Sequence, residues 1–484
     1  MKSKLLTVIC VLMLALAVTA QTKPQHRVGG TVKDQNGDVV SGAAVTLRNA
    51  ETRAEITTIT VRDGTFSFER VKSGEFTLNI LAEGFSPVEQ AVQIGTADLN
   101  DINVSLAIGQ SHLTVTAEIG QASDARDVPQ QINFIRPEAI AERATSVLAQ
   151  AGEEEAGINV QRTSPTMGAI VIRGLTGKNV VNFVDGVRFT NGAQRGGVNT
   201  FFNLNEPTNL QSIEVLRGPA GAQYGSDSLA GTVNLITKSP VFGARESEFH
   251  GDLAAGYSSA DEGFGSSGLL SYGTRKFGGY VSLAGRRIGD LRTANGLDSH
   301  SAVTRFLGLP SDVLYDTNPE TGFKQYGGAI RLNYAPRSGQ EIIFHYQRSQ
   351  QDDGKRFDQL LGGDGNLIAD LRNLMLDFGY LRYVKEKFAG FDSASFTASF
   401  NSQREERVNQ GGQGNPFGDI THQYERTSVA GFSFFFDKQL PFNNTFVIGG
   451  DFYHEKVNSP AFIVNPVTNV TTISRPRIPD EARF

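Results

Sequence analysis

The sequence predicts a mainly β chain: an N-terminal β-sandwich, a mixed α+β middle segment, and part of a large antiparallel transmembrane β-barrel. Three observations carry this. Short alternating runs separated by Asn-Gly, Asp-Gly and Ser-Gly turns fill residues 27 to 107. Of 32 phenylalanines and 12 tyrosines, 11 lie at or before residue 244 and 33 after it. Aromatics lining the two interfaces of a membrane barrel give that skew. Beyond residue 244 the apolar pattern has period two. The 53 glycines and absent tryptophan of the 484 residues favour strands and turns over helices. A net charge of -6 gives no reason to expect nucleic-acid binding.

The first 20 residues have the layout of a secretory signal. Lys2 and Lys4 supply the charged start, Leu5 to Val18 an apolar run too short to span a bilayer, and Val18-Thr19-Ala20 a small-residue cleavage site. Cys10 lies inside the apolar run, with too little of it ahead for a lipoprotein anchor. The mature chain then has neither disulfides nor thiol chemistry. No later stretch is apolar for long enough to cross as a helix, so any crossing is by closed barrel.

Residues 27 to 107 build the sandwich from Val28–Val32, Ala43–Leu47, Thr65–Phe68 and Phe76–Leu81, with turns at Asp34–Gly37, Asp63-Gly64 and Ser73-Gly74. The phrases GGTVKDQNGDVVSGAAVTLRN, DGTFSFERVKSGEFTL and Glu83-Gly84-Phe85 resemble the carboxypeptidase regulatory-like domain, which implies a transthyretin-like fold. That resemblance implies no peptidase. A zinc site needs a His-x-x-Glu pair and a distant histidine. His422 and Glu425 have the spacing, but in a strand residues three apart face opposite ways. No metal, cofactor or catalytic residue is expected.

A thin connector follows, residues 108 to 123. Its Leu113-Thr114-Val115-Thr116-Ala117 is small and β-prone, able to lie extended and join another protein's sheet edge through main-chain hydrogen bonds.

Residues 124 to 240 carry an ordered set of motifs. Arg136-Pro137-Glu138 opens a helix expected to end near Leu148. Ile172-Arg173-Gly174 and Asp185-Gly186-Val187-Arg188 come next. Ile213-Glu214-Val215-Leu216-Arg217-Gly218-Pro219, Tyr224-Gly225 and Asn234–Lys238 close the series. Together they resemble the plug domain of TonB-dependent receptors, and beside a plug the connector looks like a TonB box. Small departures, Ser228, Ala230-Gly231 and Thr232, conserve size. Arg173, Glu214 and Arg217 could supply charge-assisted hydrogen bonds, to the barrel wall or within the plug, that fix orientation more than they add stability. Gly174, Asp185, Gly186, Gly218, Pro219, Tyr224 and Gly225 are assigned to turns and fold. The polar, Gly-rich stretch Phe189 to Asn203 is loop-like. Since outward plug loops touch ligand in this family, Arg188, Asn191, Gln194 and Arg195 are the candidate ligand contacts.

Residues 245 to 484 supply the barrel strands. Tyr326, Gly328, Ile330, Leu332 and Tyr334 oppose Gly327, Ala329, Arg331 and Asn333. Ala394, Phe396, Ala398 and Phe400 oppose serines and Thr397. Phe432, Phe434 and Phe436 oppose Gly431, Ser433 and Asp437, with Phe435 the exception. Runs of about ten residues, apolar outside and polar inside, are the transmembrane-strand signature. The resemblance implies a 22-stranded barrel, whereas this stretch supplies about ten strands. Pro476 and Pro479 forbid a closing strand before Phe484. The expectation is a fragment of a longer receptor, or a barrel completed by a second chain.

The resemblance implies active uptake of a scarce solute across the outer membrane of a Gram-negative bacterium, with the sandwich in the periplasm. TonB, outer-membrane lipid and a small solute are the implied partners. Ferric siderophore, haem, cobalamin and oligosaccharide all stay open. None of the histidines, at 26, 112, 250, 300, 345, 422 and 454, lies in the plug, which removes one haem ligand. No Gly-Lys-Ser/Thr phosphate loop is present, so the energy comes from elsewhere. The alternative is an outer-membrane adhesion or assembly protein with the same barrel and no energised transport.

Overall fold

The computed structural model describes residues 25–484 except 35–36, 51, 53, 83–87, 96, 107–113, 119–120, 125–130, 144–146, 165, 194–200, 241–246, 293–316, 319, 338, 361–365, 412–414 and 442–443. The expected signal segment lies outside the described residues. The chain divides into two compact units, Met1–Thr114 and Val115–Phe484.

The first unit holds β1 (Gln25–Asp34), β2 (Ala44–Asn49), β3 (Glu55–Ile59), β4 (Thr65–Lys72), β5 (Gly74–Leu81), β6 (Val88–Ile94) and β7 (Leu99–Leu106). They form two sheets, β4-β1-β7 and β3-β2-β5-β6. Alternation turns Val45 and Leu47, Phe66 and Phe68, Leu78 and Ile80, and Ile102 and Val104 into one shared core. This is the expected sandwich. Gly30 marks its closest backbone approach: a Cβ there would lie 2.0 Å from the Ile102 carbonyl oxygen. Gly30→Val should therefore cost at least about 3 kcal/mol and abolish this unit's melting transition. Calorimetry should show the second unit's transition unchanged.

The second unit opens with β8 (Thr114–Glu118) and β9 (Gln121–Asp124), which pair only with each other among the described strands. Next come β10 (Gln131–Ile135), a helix Pro137–Glu142, β11 (Ile158–Ser164), β12 (Met167–Ile172), β13 (Val180–Val184), β14 (Val187–Arg188), β15 (Leu210–Arg217), a helical turn Gly221–Tyr224 and β16 (Gly231–Thr237). The helix stops before Leu148, shorter than expected. Just past its end, Arg143 reaches forward to the Ala151 carbonyl and the Glu155 carboxylate. Leu148–Gly152 instead forms a separate buried 3-10 turn.

Five of these strands make a mixed sheet in the order β10-β15-β16-β13-β14, with β13 and β16 parallel. Every residue of β13 is buried, as a strand covered on both faces requires. Val180, Val184, Ile213, Val215, Val233 and Leu235 join the larger core; Val181, Phe183, Leu216 and Tyr224 join a smaller one.

The remaining strands are β17 (Glu248–Ser258), β18 (Gly263–Gly273), β19 (Phe277–Ile288), β20 (Leu291–Arg292), β21 (Thr317–Asn318), β22 (Phe323–Tyr334), β23 (Gln340–Asp352), β24 (Gly354–Lys355), β25 (Ile368–Phe388), β26 (Phe391–Gln410), β27 (Ile420–Leu440), β28 (Asn444–Asn458), β29 (Ala461–Val464) and β30 (Thr471–Ile473). One large antiparallel sheet runs β17-β18-β19-β22-β23-β25-β26-β27, with β28 and β29 both pairing β27. Its outer face is apolar and open, Leu253 being 87% exposed. Its inner face is polar and buried: Gln325, Arg331, Asn333, His345, Gln347, Thr397, Asn401 and Gln403. Among the described residues no helix is long and apolar enough to cross a membrane.

β25, β26 and β27 run 21, 20 and 21 residues, about twice the expected length. The outer-face pattern changes from Phe396, Ala398 and Phe400 to Ser402 and Arg404, yet the ladder continues through Gln410↔Ile420. Apolar alternation marks only the part of a strand that needs an apolar outer face, whereas backbone pairing needs none. His422 stacks on Phe462 with ring centroids 4.7 Å apart, while Glu425, three residues on, is bonded by Arg477. No cluster of three or more His, Cys, Asp or Glu side chains fit to hold a metal occurs among the described residues.

Candidate plug–barrel coupling site

The hairpin between β13 and β14 turns on Asp185 and Gly186, with φ +50° and +72°. Two successive positive φ values make the tight two-residue turn that Asp-Gly favours. The turn sets Asp185 at the tip of the plug sheet, against the inner face of the barrel sheet. There Asp185 accepts hydrogen bonds from the Thr237 backbone N–H (2.8 Å) and the Thr237 hydroxyl (2.6 Å), both from β16 of the plug. From the barrel, Arg331 Nη1 reaches Asp185 Oδ2 at 3.2 Å and the Tyr380 hydroxyl donates to the same oxygen at 2.8 Å. Arg382 donates to the Asp185 backbone carbonyl at 2.7 Å.

The ion pair is dry, with side-chain exposures of 8% for Arg331 and 7% for Asp185. Burial alone would raise the Asp185 carboxyl; the Arg331 charge and the Thr237 hydrogen bonds outweigh it and hold it below the ordinary aspartate range. The partners are fixed in turn. Arg331 Nε donates to Asn333 at 3.2 Å, the His345 ring lies 5.4 Å from Tyr380, and Arg382 sits 5.0 Å over the Tyr380 ring.

Further polar contacts seat the plug. The Phe189 carbonyl accepts from Asn401 (2.8 Å) and Gln403 (3.1 Å), while Asn191 donates to Gln403 at 2.9 Å. Gln325 donates to the Asn203 carbonyl at 3.1 Å, and Gln347 to the Asn205 side chain at 2.6 Å. Beside them the packing is apolar: Leu371, Leu374, Leu376 and Phe378 of β25 are fully buried in one cluster with the plug core.

The residues singled out from the sequence fall into three places. Gly174, Gly218 and Gly225 adopt positive φ (+80°, +121° and +87°), and the Tyr224 ring packs 5.3 Å from Phe183. Pro219 follows Gly218 in the turn after β15. Glu214 is buried on β15, paired in register with Phe134 and Asn234. The Arg173 guanidinium lies beside Gly218, and that of Arg217 against Gly157. Among the described residues, neither arginine hydrogen-bonds the barrel wall; Asp185, placed with the turn residues, does. Arg188 pairs with Asp227 and lies 6.0 Å over the Tyr453 ring, so it and Asn191 face the wall. Leu113, Gln194 and Arg195 lie outside the described residues, and Thr114–Ala117 lie in β8. No sequence motif marks Arg331, Tyr380 or Arg382. Arg331 had a signal, a charge opposite the apolar face of its strand.

The geometry defines a plug domain seated on the polar inner face of an outer-membrane-type barrel sheet, and comparison with known proteins agrees. Residues 124–232 match the TonB-dependent Receptor Plug Domain and residues 27–107 the Carboxypeptidase regulatory-like domain. The chain thus carries a segment similar to TonB-dependent receptor plugs, followed by a barrel-type sheet and preceded by a regulatory-like sandwich. It is 28% identical over 210 residues to the hemin receptor of Yersinia pestis, covering 42% of this chain and 30% of that protein. Over 71 residues it is 42% identical to the vitamin B12 transporter BtuB of Vibrio vulnificus, 15% of this chain and 11% of that one. In fold it is similar to the copper transporter OprC, at TM-score 0.53 and 16% identity over 71% of this chain and 48% of that one. The Serratia marcescens hemophore receptor HasR gives 0.52 at 16% identity, over 70% of this chain and 47% of that one. The chain thus spans less than a third of the length of these sequence relatives and about half that of these structures.

Proposed function

We propose that this chain serves energised import across the outer membrane. A scarce solute binds outside, TonB captures the Leu113–Ala117 segment as an added strand, and the pull frees the plug from the wall. The observation that carries this reading is the Asp185 clasp. It is one compact polar contact between plug and barrel, directional enough to fix the seat and able to be exchanged for solvent without unfolding the plug. Among the described strands β8 pairs only with β9, and a strand edge open to addition supports the capture step. Arg173, Glu214 and Arg217 hold the plug's own turns in register while it moves. Arg188 and Asn191 anchor the base of the solute-facing loop on Asp227 and the barrel wall, and Gln194 and Arg195 are the residues proposed to meet the solute.

The solute class follows the relatives, whose names record haem, vitamin B12 and ferric enterobactin. The test uses cells producing this chain, offered haemin, cyanocobalamin or ferric enterobactin, with and without TonB. At least one probe should accumulate about tenfold above background, and only when TonB is present. Accumulation that ignores TonB would contradict energised import and favour a passive barrel or adhesion role.

A further inference from the structure

Among the described residues of the first unit, the large apolar side chains left exposed are Val39, Ile56, Ile59 and Val61, each 43% to 61% exposed. All four lie along one border. Ile56 and Ile59 belong to β3, and Val61 follows it. Val39 lies against Gly64, in the turn that Gly64 closes by donating to the Val61 carbonyl at 2.8 Å. Among the described strands β3 pairs only with β2, so one of its edges is open. Thr60 donates to the Ala43 carbonyl and Asn49 to the Ala54 carbonyl, each at 2.9 Å. Alternate residues of an antiparallel strand bond to the same side. Ala54, Ile56, Thr58 and Thr60 therefore bond toward β2, and Glu55, Thr57 and Ile59 aim their N–H and C=O groups outward.

The other three edges of the sandwich are defended in ways that β3 is not. Sheet edges are ordinarily blunted by charges, bulges or proline. β4 carries Glu69, Arg70 and Lys72, with Arg70 at φ +60° and a register break against β1. Asp101 stands inside β7 and Glu89 inside β6. In β3 the sole charge, Glu55, stands at the first position and pairs with Arg48 at 3.4 Å. Beyond it the edge reads Ile-Thr-Thr-Ile-Thr-Val, neutral and β-branched throughout.

We propose that this edge joins a second copy of the chain, β3 against β3, about a two-fold axis through Thr57. The strand's own register selects that partner. Reversing β3 about Thr57 matches all of its outward main-chain groups: Thr57 meets Thr57, and Glu55 meets Ile59 in both directions. Such pairs exchange about six main-chain hydrogen bonds. A register shifted toward the turn would require Val61, whose N–H is already given to the Thr65 carbonyl at 2.9 Å. The charges fit too. The two Glu55 residues stand at opposite ends, about 13 Å apart along the strand. That exceeds the screening length of about 8–10 Å in physiological salt. Ile59 of each copy covers the aliphatic stem of the other's Glu55, and Ile56 packs beside Thr58, so exposed apolar surface is lost as the bonds form. The sheets β3-β2-β5-β6 of the two copies become one continuous sheet, with the neutral edges closed on each other. The pairing is independent of the importer reading and makes the sandwich a module that couples two copies.

Disulfide trapping of the full chain in outer membranes tests the contact. Cys10 is the sole cysteine of the sequence and lies in the expected signal segment, so an introduced thiol is read without background. In the two-fold register the Thr57 Cα atoms stand about 5.5 Å apart, inside the roughly 4.4–6.8 Å that a disulfide spans. Mild oxidation of Thr57→Cys should give a covalent homodimer at least about tenfold more than Gln93→Cys, an exposed position on the β6 edge. Equal yields, or none from either, would overturn the proposal, and so would a Thr57→Cys adduct with a different protein. A second measurement uses no thiol. The parent chain in detergent should sediment as a dimer, and Thr57→Lys, which sets two ammonium groups face to face, as a monomer. Thr57 is exposed and its main chain stays in the β2 ladder, so the melting transition of the sandwich should barely move. A monomeric parent, or a lysine variant that stays dimeric, would overturn the pairing.

Discussion

Asp185→Asn is expected to weaken the seating of the plug by about 3–5 kcal/mol, because it strips the counter-charge from a buried arginine. Asparagine keeps the size of the side chain and one acceptor oxygen, so the turn and part of the Thr237 and Tyr380 bonding survive. Arg331 has no such recourse: its side chain is 8% exposed and cannot recover its hydration in place. The plug should become trypsin-sensitive at temperatures where the parent resists, with a lower melting temperature. Adding Arg331→Met should restore most of the loss, since the uncompensated charge is then gone. Unchanged stability in the single variant would mean that the clasp does not hold the plug.

The same site fixes a pH dependence. The Asp185 carboxyl sits below its ordinary value of 3.8 in the folded state, so its contribution is complete above that value. It fades as the pH falls through the lowered folded value, where protonation dissolves the ion pair. Seating should thus be insensitive to pH near neutrality and weaken only in strong acid, and Asp185→Asn should flatten that acid limb.

The sequence made the sandwich legible because its turns carry their own chemistry: Asp63-Gly64 and Ser73-Gly74 announce hairpins wherever they occur. The barrel wall was legible from alternation alone, down to the inward direction of Arg331 and Asn333. Alternation could not give the length of β25 to β27, since pairing continues beyond Ser402 and Ser428 after the apolar face has ended. Nor could it give the clasp. Asp185 and Arg331 lie 146 residues apart, and they meet only because of the depth at which the plug sits in the sheet. Nothing local to either strand encodes that depth. Arg173 and Arg217 stand out as charges within motifs, whereas Asp-Gly explains Asp185 as a turn residue without any partner.

The second large effect belongs to the connector. Val115 sits in β8, the strand expected to be captured, and proline there removes a main-chain donor and clashes with strand pairing. Affinity for TonB should fall at least about a hundredfold, roughly 3 kcal/mol. Val115→Thr, still β-branched, should bind like the parent, because strand addition reads the backbone more than the side chain. The most direct measurement is thus binding of the purified TonB periplasmic domain to the full chain, to Val115→Pro and to Val115→Thr. Binding by the parent and the threonine variant, lost with proline, is the result expected of an energised receptor. Equal binding by all three, or by none, would contradict it.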